Sequence, residues 1–113
     1  MNRWELKILR LVIAKFGIDY QLAIVQEECA ELIQAISKLK RAGNSDHPGR
    51  TAKAAMNNLY EEVADVQIML DQIRIMYPSK AYDTIRAQKI ARIEKRINQK
   101  KSSKKAQVTE YDA

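Results

Sequence analysis

The sequence has few residues that break regular structure, with 3 glycines and 2 prolines among 113 residues. A many-stranded sheet needs more turn residues than this, so sandwiches, barrels and propellers are excluded. The length suits one domain, and 46% of the residues are hydrophobic. Together these observations predict an all-α fold with room for four helices.

Cysteine and long apolar runs are also scarce. Cys29 is the only cysteine, so the chain cannot form an intramolecular disulfide. The longest apolar stretch, residues 8–14, is interrupted by Arg10 and is far too short to span a membrane. The N-terminus lacks the continuous apolar segment of a secretion signal. We therefore expect a cytoplasmic protein with no membrane partner.

The charge is distributed unevenly along the chain. Lys and Arg number 20 and Asp and Glu number 14, which gives a net charge of +6. Residues 1–78 carry 10 basic and 10 acidic side chains, whereas residues 79–113 carry 10 basic and 4 acidic ones. The whole basic excess therefore belongs to the C-terminal third.

Amphipathic segments alternate with turn residues. Gly17 ends the first segment, and Asp19 is placed to cap the second. Residues 43–50 are rich in Gly, Asn, Ser and Asp and predict a loop, and Pro78 ends the third segment. The predicted helices cover residues 3–16, 20–42, 51–76 and 80–98, which form one domain over 1–98 followed by a basic, flexible tail over 99–113.

Carboxylates occur where the two long helices should be apolar. At about 100° of rotation per residue, Glu28 falls inside the apolar stripe of the second helix, and Glu31 lies about 60° away at its edge. Glu62 and Asp65 take the same two places on the third helix. Each pair has i, i+3 spacing, which puts both side chains on one face. Antiparallel packing of these helices would close a cage of four carboxylates.

An unpaired carboxylate in an apolar interior costs several kcal/mol at least, so a cation is expected between these side chains. Oxygen ligands, the absence of a thiolate cluster and the single histidine, His47, favour Mg²⁺ or Mn²⁺ over zinc or copper. No Glu-x-x-His pair supports a di-iron bundle. The alternative is that the acids are solvated and form surface salt bridges with Lys38 and Arg74.

The same residues form a family-like motif. The run from Glu27 to Glu31, Glu-Glu-Cys-Ala-Glu, is followed by Glu62-Val-Ala-Asp65. This pattern resembles the E-E-x-x-E … E-x-x-D signature of the MazG-like nucleoside triphosphate pyrophosphohydrolases, in the all-α NTP pyrophosphatase superfamily. The resemblance extends over about residues 16–96. The gap over residues 32–61 is longer than in most members.

The resemblance implies a four-helix, oligomeric bundle that binds Mg²⁺, with Mn²⁺ as a substitute. It also implies that the protein cleaves an NTP or dNTP to the monophosphate and pyrophosphate. The metal ligands would be the residues that match the signature, and Glu27 or Glu61 would be the general base that activates water. The implied metal ligands are Glu28, Glu31, Glu62 and Asp65.

A triphosphate substrate also needs basic and aromatic partners. Lys38 lies on nearly the same helical face as Glu31, and Lys89-Ile-Ala-Arg92 resembles the K-x-x-R element that follows the acidic motif in related sequences. These lysines and Arg92 are the candidate phosphate ligands. Aromatic rings and an amide near the first helical junction are the candidates for contact with the base. They are Phe16, Tyr20 and Gln21.

Two other functions stay open. The C-terminal lysines favour a nucleic-acid-binding helical module, although the tail lacks interleaved aromatic residues. A non-catalytic oligomeriser with the same fold is the other alternative. In every case four helices of this length bury limited surface alone, so we expect a homodimer or homotetramer. Candidate interface residues are Leu9, Val12 and Ile75.

Overall fold

The computed structural model describes the backbone of residues 1–42 and 51–104, and the side chains within them as far as Gln99. These ranges contain helices and no strand, which confirms the predicted all-α class. None of the described helices combines the length and the apolar character needed to cross a bilayer. The helices are α1 (Arg3–Phe16), α2 (Ile18–Arg41), α3 (Ala52–Met76) and α4 (Ala81–Lys104).

The first two helices are separated by one residue. Asn2 caps α1 through a reciprocal pair of hydrogen bonds with Glu5. Gly17 then takes φ 91°, a backbone conformation that residues other than glycine adopt only with strain. Because this turn needs no further residue, α2 begins at Ile18, two residues earlier than predicted. Asp19 therefore lies in the first turn of α2 and is not its cap.

The later helix ends follow their capping residues. The Thr51 hydroxyl accepts a hydrogen bond from the backbone N–H of Ala54, so α3 begins at the next residue after Thr51. The Ser79 hydroxyl accepts one from the N–H of Ala81 at the start of α4. The end predicted for α4 at residue 98 is wrong, because the helix continues to Lys104. The predicted loop over 43–50 and the tail beyond residue 104 lie outside the described residues.

The chain forms two compact units, residues 1–78 and residues 79–113. In the first unit α2 packs chiefly against α3, and α1 contacts both of them. The second unit contains α4, whose described side chains are all exposed except the half-buried Tyr82. The domain limits predicted from the sequence stay a prediction.

A seven-residue repeat lines the contact between α2 and α3. On α2 it places Gln21, Glu28 and Ala35 toward the partner helix, and on α3 it places Ala55, Glu62 and Met69 there. Four of these six residues are buried apolar or amide side chains, and both glutamates are half-buried. The same repeat, shifted by four residues, brings in the remaining apolar positions of the seam. They are Val25, Leu32 and Leu39 on α2, and Leu59, Val66 and Ile73 on α3.

An amide pair fixes how the two helices align. Gln21 Nε2 donates a hydrogen bond of 2.7 Å to Gln72 Oε1, and Gln72 Nε2 lies 3.5 Å from Met69 Sδ. Both glutamines are more than 95% buried. A residue near the start of α2 thus meets one near the end of α3, so the helices are antiparallel. Buried amides that satisfy each other favour one register, because any slip leaves them without partners.

Candidate functional site

Three carboxylates meet at the middle of the α2–α3 seam. One oxygen of each of Glu28, Glu62 and Asp65 lies within 4.8 Å of the others. Glu28 lies two turns from Gln21 and Asp65 lies two turns from Gln72, and the two glutamates occupy equivalent positions of the seven-residue repeat. Each therefore stands in a layer where a coiled coil would normally hold an apolar side chain. We call these three residues, together with the adjacent Glu31, the carboxylate cluster.

Two oxygens of the cluster are shielded from water without a compensating bond. Within the described residues, Glu28 Oε2 and Glu62 Oε2 are buried and have no hydrogen-bond partner. An acceptor shielded from water without a partner is destabilising, and more so when it carries charge. The packing that brings α2 and α3 together therefore holds these groups in an unfavourable state.

The electrostatics of the cluster agree with this picture. Burial, followed by repulsion from Glu31 and Asp65, raises the pKa of Glu28 from its ordinary value of 4.5 to about 7. The same causes, in the same order, raise the pKa of Glu62. The Glu31 carboxyl is within hydrogen-bonding reach of both, and it raises each pKa further. Glu28 and Glu62 thus hold a proton more tightly than isolated glutamates do, and a cation would take the place of that proton.

The donor set fits a hard divalent ion. Ligand oxygens placed about 2.1 Å from Mg²⁺ are roughly 3–4 Å apart, a little closer than the 4.8 Å within which the three carboxylate oxygens lie. Small side-chain rotations would therefore bring the three oxygens into coordination distance. All the donors are carboxylates, and carboxylate oxygens suit Mg²⁺ and Mn²⁺ better than they suit softer metals. The carboxylates of Glu28, Glu62 and Asp65 are thus chemically compatible with the cation expected from the sequence, and its binding there stays a prediction.

The other predicted acids surround this centre. Glu31 is exposed and interacts with both glutamates of the seam, so the structure brings all four predicted metal ligands into one neighbourhood. The candidate general bases, Glu27 and Glu61, are exposed. The Glu61 charge contributes to the raised pKa of Glu62. Both candidate bases are therefore open to water beside the cluster.

The predicted phosphate ligands divide between the two units. Lys38 is exposed on α2, two turns beyond Glu31. Lys89 and Arg92 are exposed on α4, where they line a shallow depression in the second unit. The other residues along this depression include Ile93, Lys95, Arg96 and Gln99. Contact of any of these side chains with phosphate stays a prediction.

The candidate base contacts have different surroundings. The rings of Phe16 and Tyr20 are exposed and stacked, with centroids 5.4 Å apart and planes 25° from parallel, and Lys15 Nζ lies 5.5 Å from the Phe16 centroid. Gln21, by contrast, is buried and engaged with Gln72. The sequence prediction did not include Gln72, although its place seven residues after Asp65 was a signal for it.

Comparison with known proteins adds no identification. No family model, no curated protein and no solved structure matches the chain. What can be said about function therefore depends on the residues and geometry of the carboxylate cluster.

The raised pKa values predict how stability depends on pH. Without divalent ions, the folded state binds a proton at Glu28 up to about pH 7, whereas the unfolded chain releases it near 4.5. The free energy of unfolding should therefore fall as pH rises from 4.5 through about 7. The raised pKa of Glu62 should lower the free energy of unfolding with rising pH as well. Melting temperatures measured in EDTA between pH 5 and pH 8 test this. Glu28→Gln should flatten the profile, and a wild-type melting temperature that rises across this window would contradict the prediction.

Proposed function

We propose that the protein is a Mg²⁺-dependent nucleoside triphosphate pyrophosphohydrolase, which cleaves NTP or dNTP to the monophosphate and pyrophosphate. The observation that carries the proposal is the convergence of Glu28, Glu62 and Asp65 on the helix seam, with two buried oxygens left without partners among the described residues. The signature that these residues share with MazG-like enzymes supplies the reaction. The finer architecture and a dimeric or tetrameric state belong to the same proposal.

A carboxylate cluster suits a triphosphate only indirectly. The two are both anionic, so divalent metal must lie between them. When bound, Mg²⁺ would polarise the α-phosphate and stabilise the negative charge that develops on the pyrophosphate leaving group. Glu28, Glu62 and Asp65 would hold the metal, and Glu31 would add negative charge that strengthens its binding. Mn²⁺ has compatible coordination and would substitute for it.

The exposed acids beside the cluster support the proton transfer that the reaction needs. A water oxygen attacks the α-phosphorus, and the bond from that phosphorus to the bridging oxygen breaks. The electron pair of this bond leaves with pyrophosphate. The proton of the water passes to a carboxylate, for which Glu27 and Glu61 are the candidates because both are solvent-accessible next to a metal ligand.

A basic side chain and aromatic rings complete the proposed substrate site. Lys38 would neutralise the outer phosphates, and the exposed Phe16–Tyr20 stack would offer a face to the base. The competing proposal, a nucleic-acid-binding module, accounts for the exposed basic residues of α4. It gives no reason for carboxylates in the interior of a helical hairpin, so the hydrolase is the better-supported function.

A nucleotide screen tests the proposal directly. The full chain is incubated with canonical and modified NTPs and dNTPs in Mg²⁺, and both the monophosphate and pyrophosphate are quantified. We expect equimolar formation of the two products from at least one triphosphate, and none in EDTA. Release of inorganic phosphate together with a diphosphate would contradict cleavage at the α-phosphate. The absence of any product across the whole set would overturn the enzymatic function.

A further inference from the structure

Helix α4 presents a row of basic side chains on one side. They are exposed, line the shallow depression of the second unit, and extend over about 10.5 Å of the helix axis. Two exposed glutamine amides lie among them. We call this set the basic face, and its members are Gln88, Lys89, Arg92, Lys95, Arg96 and Gln99.

Helix geometry keeps negative charge away from the basic face. Counted from Arg92, its other members lie within about 60° in either direction, and no other residue between 88 and 99 falls within this arc. The acids of the helix, Asp83 and Glu94, are rotated from Arg92 by about 180° and 160°. Neither acid is three or four residues from a cation of the basic face, which is the spacing that an ion pair on a helix requires. The basic face therefore presents positive charge that its own helix does not neutralise.

An extended polyanion fits the basic face better than a small anion does. Sites for small ligands are concave and enclose most of the ligand surface, whereas the described side chains of α4 are exposed apart from the half-buried Tyr82. Along one strand, DNA carries a phosphate for about every 3.4 Å of helix axis, so a row of this length faces about three phosphates. Lysine, arginine and glutamine side chains are also the usual donors to phosphate oxygens at nucleic-acid interfaces.

The opposite side of α4 argues against an anionic membrane as the partner. Helices that lie in a membrane interface bury an apolar face among the headgroups. The isoleucines of α4 adjoin its acids, since Ile90 is rotated from Arg92 by about 160° and Asp83 by about 180°. Burying this side would bring Asp83 and Glu94 close to anionic headgroups, which would repel them.

A duplex fits the composition of α4 better than a single strand does. Proteins that hold single strands stack the bases on aromatic side chains. Tyr82 is the one aromatic residue between residues 81 and 99, and it lies outside the basic face. Contacts with the phosphates of a duplex need no aromatic ring, because the backbone is accessible while the bases stay stacked.

We infer that the basic face binds the phosphate backbone of duplex nucleic acid, as a function of the second unit that is additional to hydrolysis. The lysines and arginines would displace counterions from three or four phosphates, and Gln88 and Gln99 would donate hydrogen bonds to phosphate oxygens. Because phosphates are common to all sequences, the affinity should not depend on base sequence. The carboxylate cluster belongs to the first unit, so this inference does not depend on the proposed function.

Binding of fluorescent duplexes by the full chain tests the inference. DNA and RNA duplexes of about 20 base pairs are titrated separately and followed by anisotropy. We expect at least one of them to bind in 50 mM salt, and its dissociation constant to rise at least about thirtyfold in 200 mM salt as fewer counterions are released. Absence of binding to both duplexes in 50 mM salt would overturn the inference. So would tighter binding to vesicles of phosphatidylserine and phosphatidylcholine, which would indicate a membrane surface instead.

A pair of matched variants locates the contact. Lys95→Gln/Arg96→Gln should raise the dissociation constant at least about tenfold in 50 mM salt and lower the slope of log affinity against log salt by about two. The control, Lys80→Gln/Arg86→Gln, removes the same two charges from the same unit outside the basic face. It should change the dissociation constant less than about threefold. Glutamine is a good helix former, so circular dichroism should show equal helix content for both variants.

The two variants separate the basic face from net charge. Equal weakening by both would mean that binding follows the charge of the whole unit, and it would overturn the assignment to this face. An unchanged dissociation constant for Lys95→Gln/Arg96→Gln would overturn it as well.

Discussion

Replacing Glu62 by glutamine is expected to lower the rate of pyrophosphate release at least about a thousandfold at saturating Mg²⁺. The amide keeps the shape of the side chain but removes the negative charge that would hold the metal against the substrate. Metal coordination contributes several kcal/mol of transition-state stabilisation, and each 1.36 kcal/mol is a factor of ten in rate. The rate is measured by pyrophosphate release with the best triphosphate from the screen.

The matched control for this variant is Asp71→Asn, which removes a carboxylate from the same helix outside the carboxylate cluster. It should retain nearly all of the activity. Circular dichroism should show equal helix content for both variants, because Glu62→Gln removes an unfavourable buried charge and does not create one. Activity within a few-fold of wild type in Glu62→Gln would exclude this side chain as a metal ligand.

Replacing both seam glutamates by leucine should stabilise the chain and abolish its response to Mg²⁺. Exchange of buried charged groups for well-packed apolar side chains of similar volume is often stabilising, and the two glutamates also repel each other. Glu28→Leu/Glu62→Leu also restores apolar residues to two positions of the seven-residue repeat. In EDTA at pH 8 we expect the melting temperature to rise by at least about 4 °C. Mg²⁺ should raise the melting temperature of the wild type and leave that of the variant unchanged.

The control for this experiment is Gln26→Leu/Gln34→Leu, which adds two leucines at exposed positions of α2. These side chains do not face α3, so the melting temperature should change by less than about 2 °C. If the double glutamate variant were less stable than the wild type in EDTA, the seam would tolerate its carboxylates without any cation. That result would remove the physical basis for proposing a metal site at this position.

Much of the fold could be predicted because its boundaries depend on a few local signals. Gly17, Thr51 and Pro78 each act within one turn of helix, and their effects need no knowledge of distant residues. The start of α2 was misplaced because the left-handed conformation of Gly17 replaces the side-chain cap expected from Asp19. The end of α4 was misplaced because lysines beyond residue 99 suggested a polar tail, although lysine is a good helix former.

The candidate site was accessible from the sequence because helical periodicity alone puts Glu28 and Glu62 on the faces that meet. The sequence alone does not show which carboxylate oxygens approach one another, because their separations depend on the register between α2 and α3. The register is fixed by the contact between Gln21 and Gln72, which are 51 positions apart in the chain. The sequence analysis assigned Gln21 to the nucleotide base. The seven-residue spacing of Gln21, Glu28 and Ala35 would have indicated its place in the seam.

The regular spacing along α2 and α3 also determines where the length of this chain can change. Deleting one residue between Gln21 and Glu28 would turn one of them by about 100° relative to the other, so the amide pair and the carboxylates could no longer face α3 together. Insertions between Arg41 and Thr51 leave both helices intact and alter only their connection. Length variation among natural variants of this chain should therefore be confined to that connection and to the two ends, while both helices keep a constant residue count.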